Sequence, residues 1–121
     1  MIDDIYIFDN IIDSKAQRKI QQIIFNKIRW QFIPDVTKPD NKQQRPGFNY
    51  KFISNRENVF KWHKEMCTII DAACNKINFI RKDCLQGRSF LQLPLNLKDR
   101  SIDAPHVDAD IDHMVVLYYV N

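Results

Sequence analysis

The chain has 121 residues, of which 45% are hydrophobic and 27% charged, with a formal net charge of +3. A single domain (1–121) with a real core suits that length and balance, and so small a charge makes no electrostatic case for a nucleic-acid partner. With only Gly47 and Gly87 there is neither a GxGxxG nor a P-loop phosphate cradle, and no CxxC pair is present to build a zinc ribbon.

No apolar run is long enough to span a bilayer, and the acidic start Met1-Ile2-Asp3-Asp4 is unlike a signal peptide, so a cytoplasmic chain with no membrane partner is expected. Cys67, Cys74 and Cys84 are an odd number. They read as free core thiols in a reducing compartment, Cys67 and Cys74 sharing one helical face at a spacing of seven.

In chain order, Ile5-Tyr6-Ile7-Phe8 is a short β-prone run stopped by Asp9-Asn10. Ser14, with Gln17 three residues on, has capping-box spacing. Ala16, Ile20, Ile23, Ile24 and Ile28 then recur at helical intervals with polar residues between, which predicts an amphipathic helix over about 15–28. Trp30, Phe32 and Ile33 form a short strand ended by Pro34. Residues 37–46 are polar, hold two prolines and read as a loop, a candidate lid. Phe48, Tyr50 and Phe52 alternate with polar neighbours, as in a strand with one buried face.

Ser54 and Glu57 repeat the capping-box spacing, and Phe60, His63, Cys67, Ile70, Cys74 and Ile77 follow at intervals of three and four. A second amphipathic helix is expected over 56–76, with His63 on its stripe as a hydrogen-bonded packing residue and Trp62 against a neighbouring element. After Gly87 the period becomes two: Leu91, Leu93, Leu95 and Leu97 point one way and Phe90, Gln92, Pro94 and Asn96 the other. Pro94 marks this strand, 90–97, as an edge or bulged one. A charged connector, 98–103, follows. The last strand, 114–120, is apolar on both faces and belongs inside a sheet covered on both sides.

The chemistry concentrates just before that last strand. His106 and Asp108 are two apart, so in an extended segment both point to one side and can reach one metal ion. A third ligand from elsewhere would complete a two-His, one-carboxylate facial triad, the arrangement of non-haem Fe(II) oxygenases. Asp108, Asp110 and Asp112 also match positions 1, 3 and 5 of an EF-hand loop. His113 at position six and Tyr119 at position twelve, where Gly and Glu are required, reject that reading. Asp110 and Asp112 then read as solvated turn residues, and His113 as the start of the next strand, near the site, with a third metal ligand as its lesser alternative.

The segment Ala104-Pro105-His106-Val107-Asp108, with His113-Met114-Val115-Val116-Leu117-Tyr118-Tyr119-Val120-Asn121, resembles the first half of the core of 2-oxoglutarate/Fe(II)-dependent dioxygenases. The branch is the prolyl-4-hydroxylase-like one, particularly its small phage and marine bacterial members. The opening strand, capped helix and Trp-x-Phe strand are similar too. The resemblance implies an α+β fold, a partial double-stranded β-helix (jelly roll) with two supporting helices. It implies Fe(II) held by His106 and Asp108, with 2-oxoglutarate and dioxygen as co-substrates. Gln92, Asn96 and Tyr118 become candidate contacts for 2-oxoglutarate. The family's second His, and the Arg or Lys that pairs with 2-oxoglutarate, stand some tens of residues further on. The 121 residues therefore correspond to its N-terminal portion, apparently truncated at the C-terminus and expected to be inactive alone, with the other half a candidate for supply by a second chain. The expected activity is hydroxylation of a peptide or small-molecule substrate, in a host cytoplasm if the chain is viral. The alternative is a non-catalytic binding or assembly module on a degenerate jelly roll.

Overall fold

The computed structural model describes residues 5–34, 46–93 and 108–120. The 37–45 loop, the part of the expected 90–97 strand from Pro94 onward, the 98–103 connector and the Pro105-His106 pair lie outside them. The architecture is α+β: two helices and a four-stranded antiparallel sheet.

The first helix, α1 (Ser14–Asn26), follows the predicted stripe: Ile20 and Ile23 are buried, and Ala16, Ile24 and Ile28 pack beside them. Each buried isoleucine contributes about 1.5–3 kcal/mol relative to exposure. The cap is Asp13 rather than Ser14. Asp13 is extended (φ −69°, ψ 164°), and its Oδ1 accepts the Ala16 N–H at 2.7 Å. Ser14 is the first helical residue, so the expected Ser14/Gln17 capping box does not form.

After α1 come β1 (Gln31–Ile33) and β2 (Gly47–Ser54), paired antiparallel with Phe32 opposite Phe48. Their rings meet edge-on, centroids 5.7 Å apart. The chain then reverses at Asn55 (φ 49°) and Arg56 (φ 66°) into β3 (Glu57–Asn58), with Ser54 opposite Glu57. Two consecutive positive φ values between antiparallel strands are the signature of a two-residue type I′ hairpin. Ser54 and Glu57 are thus hairpin partners, and the helix expected from 56 begins instead at α2 (His63–Lys76). Asn78 (φ 54°) ends α2: the Phe79 N–H returns to the Cys74 carbonyl at 2.9 Å and the Asn78 N–H to Asn75 at 3.4 Å, a Schellman motif.

The last strand, β4 (Gly87–Gln92), pairs with β2. Gly47–Asn49 are bonded to both β1 and β4, and Ile53 to both β3 and β4. β1 and β3 therefore share one edge of β2, and β4 takes the other. The β2–β4 register shifts between Lys51 and Ile53, and this bulge turns both Phe52 and Ile53 into the core. Gly87 lies there because nothing larger fits: a Cβ on it would overlap the Phe52 ring, 2.6 Å from Cζ.

Three strand expectations are revised. Residues 5–8 form no ladder; Tyr6 and Phe8 stack, and Ile5 and Ile7 are exposed. Leu91, expected inside, is exposed at the sheet edge. Residues 114–120 form no ladder among the described residues, and β4, the expected hairpin partner, pairs with β2 instead. Their alternation survives. Val116, Tyr118 and Val120 pack on the core, while Val115, Leu117 and Tyr119 are 54%, 62% and 80% exposed. β-propensity expresses a pleated, half-buried site and not a partner.

Two outcomes follow in chemical denaturation. Asp13→Ala costs about 1 kcal/mol, while Ser14→Ala changes stability by less than about 0.5 kcal/mol. Gly87→Ala costs about 1–3 kcal/mol by overpacking, and most of that cost disappears when the same change is made in a Phe52→Ala background.

Candidate functional site

The sequence-derived candidates do not gather at one point among the described residues. Asp108 is exposed in a bend, and its backbone carbonyl accepts from Gln86 Nε2 at 3.5 Å. Gln92 is exposed at the end of β4, opposite Gly47. Tyr118 is half-buried against the core. His106 and Asn96 lie outside the described residues. Asp110 and Asp112 are exposed, as solvated turn residues would be. His113 turns back on its own segment, with Nδ1 donating to the Ile111 carbonyl at 2.7 Å.

Tyr118 lines an open groove of about 1820 Å³. Residues 5–11 and 109–120 supply much of its lining, together with one face of α1 (Ser14, Gln17, Arg18, Gln21) and Ile69, Ala73 and Ile77 of α2. Its rim carries Ile5, Ile7, Val115 and Leu117, all exposed. Sequence reading found both extended segments but not that they border one groove. The apolar residues concentrated in both segments were the available signal.

A second cavity, about 410 Å³, lies where α2, the β2–β3 hairpin and the segment after α2 meet. Its lining includes Arg56, His63, Cys67, Asp71, Arg81 and Cys84. His63 is half-buried and its Nδ1 donates to the Phe60 carbonyl at 2.9 Å, so it is the hydrogen-bonded packing residue expected from its lone place on the stripe. Arg81 binds Asp71 (Nη2–Oδ1 2.9 Å), and Arg56 meets Asp83 (Nε–Oδ2 3.4 Å). All three cysteines are free thiols. Burial pushes the Cys67, Cys74 and Cys84 thiols above the ordinary range, with Cys84 raising Cys67 further and Arg81 opposing at all three.

Imidazole and carboxylate are suitable donors for Fe(II). Among the described residues, no three His, Cys, Asp or Glu side chains gather closely enough to hold a metal ion. No helix among them is long and apolar enough to cross a membrane. Comparison with family models, with curated proteins and with solved structures returned no match.

The raised thiols set an alkaline limit. Above the ordinary thiol pKa of about 8.5 the unfolded chain releases protons that the folded chain keeps. The stability that the buried neutral thiols contribute is complete below that pH and is lost as pH rises toward the higher folded values. The urea midpoint should therefore fall between pH 8 and pH 10, and fall less in a Cys67→Ala/Cys74→Ala/Cys84→Ala variant. Equal slopes in the two proteins would contradict this.

Proposed function

We propose that this chain carries the N-terminal portion of a 2-oxoglutarate/Fe(II)-dependent oxygenase of the prolyl-4-hydroxylase-like type. The observation that carries the reading is the two-residue spacing of His106 and Asp108 just ahead of 114–120. That segment seats Val116, Tyr118 and Val120 on a helix-backed core and leaves the alternate row uncovered. A jelly roll needs such a segment, backed by helices on one side and faced by a second layer on the other. The two helices and the antiparallel sheet are compatible with the supporting layer of that fold.

In this reading His106 and Asp108 are two of three ligands to Fe(II). The bound metal supplies activation of dioxygen, coupled to decarboxylation of 2-oxoglutarate, for hydroxylation of a peptide or small-molecule C–H bond. This chain contributes ligand placement and an apolar wall, Tyr118 included, and Gln92 and Asn96 are polar candidates for co-substrate contact. Two ligands bind weakly, and the 121 residues alone turn over no 2-oxoglutarate.

The second reading, a non-catalytic binding or assembly module, is favoured by the apolar groove and by Asp108 standing exposed. Anaerobic titration with Co(II) as a stand-in for Fe(II) separates the two. The oxygenase reading expects weak binding that drops more than about tenfold in both His106→Ala and Asp108→Ala and is unchanged in His113→Ala. Binding insensitive to the first two substitutions supports the module. Succinate formation above background, abolished by His106→Ala, would overturn the expectation of inactivity alone.

A further inference from the structure

The segment after α2 is held at both ends across the smaller cavity. Arg81 is bonded to Asp71, which stands one helical turn beyond Cys67 on the same face of α2. At the other end, the Arg56 N–H donates to the Leu85 carbonyl at 3.0 Å and the Arg56 side chain meets Asp83. Cys84 lies between these anchors. It lines the same cavity as Cys67 and packs against the core cluster to which Cys67 belongs. Cys74 is excluded as a partner for Cys67: seven residues along a helix separate their Cα atoms by about 10.5 Å, beyond the roughly 7 Å that a disulfide bridges. It is also absent from the cavity lining.

We infer that Cys67 and Cys84 are a redox-sensitive thiol pair, closed to an intramolecular disulfide by a low-molecular-weight disulfide oxidant. Cys84, half-buried, is the more accessible of the two and reacts first. Its thiolate attacks one sulfur of the oxidant, forming a mixed disulfide and releasing one small thiol, which takes up the proton Cys84 lost. The Cys67 thiolate then attacks the Cys84 sulfur, forming the protein disulfide and releasing the second small thiol with the second proton. Two protein thiols are oxidised and one small disulfide is reduced to two thiols. Closure withdraws the Sγ–H that Cys84 donates to the Gln86 carbonyl at 3.5 Å, and it links α2 covalently to the segment leading into β4.

The test treats the full reduced chain with oxidised glutathione and measures intact mass, followed by alkylation and non-reducing tryptic mapping. The expected product is lighter by two hydrogen atoms and retains one alkylatable thiol, Cys74. Trypsin leaves Cys67 and Cys74 in one peptide, so fragmentation of the wild-type cross-linked peptide must place the bridge on Cys67. Cys74→Ser should still close; Cys67→Ser should stop at a glutathione adduct on Cys84. A bridge assigned to Cys74, loss of the bridge in Cys74→Ser, or glutathione adducts alone on the wild type would each overturn the inference. Because fragmentation reads the unmodified chain, the outcome does not depend on any variant folding.

Discussion

The hydrogen-bonding capacity of β2 is the constraint on which the other elements depend. A strand has two edges, and both edges of β2 are occupied: β1 and β3 share one, and β4 fills the other. The bulge between Lys51 and Ile53 lets consecutive residues, Phe52 and Ile53, both enter the core, which strict alternation would forbid. That inward turn brings the Phe52 ring over Gly87, so the start of β4 accepts only a residue without a side chain. The register of the whole β2–β4 ladder is thereby tied to the packing of one ring. It also follows that no further strand can join at β2; growth of the sheet is confined to the outer edges of the other strands.

The segment after α2 does comparable work with weaker bonds. Exposed ion pairs such as Arg56–Asp83 contribute at most about 1 kcal/mol each, so their role is orientation rather than stability. The Schellman turn at Asn78 sets the direction in which the chain leaves the helix. Arg81 then ties it back to Asp71, and the Arg56 N–H ties Leu85 to the hairpin turn. Arg56 holds a positive φ that favours Asn or Gly, at a cost of about 1 kcal/mol. In that conformation its N–H and its guanidinium meet the same segment. Gln86 extends the chain of contacts to the Asp108 carbonyl. The hairpin, α2 and the turn ahead of 114–120 are thus linked through a handful of exposed groups around two thiols.

How far these features could be read from the sequence depended on whether they were local. The isoleucine stripe of α1 and the buried pair Cys67 and Cys74 follow from a period of 3.6 and were legible. The α1 cap was off by one because Asp13 and Ser14 are both competent caps, and only backbone geometry chooses between them. Ser54 and Glu57 misled for a sharper reason: a separation of three is also that of the residues flanking a two-residue hairpin. The alternation of 114–120 was legible, but its partner was not, since β-propensity carries no address. The proposed ligands rest on a two-residue spacing, whereas Cys67 and Cys84 line one cavity only because ten residues after Asp71 the chain folds back onto α2. No motif records such a contact.

The two functional readings differ less in fold than in how precisely Asp108 is held. A ligand has to be fixed to within about half an ångström. Asp108 has the Gln86 amide on its carbonyl, and its neighbour His113 bonds only within its own turn. Both contacts are exposed. The firm part of this stretch is the row Val116, Tyr118 and Val120, seated on the core eight and more residues further along. An extended backbone transmits position from that row well only when ladder bonds fix it on its edges. A layer covering Val115, Leu117 and Tyr119 would bury apolar surface, and strands at the edges of 114–120 would hold the turn in place. The energy for ordering an iron site would then come from burying this row, and the metal would need to contribute only the final alignment of its ligands.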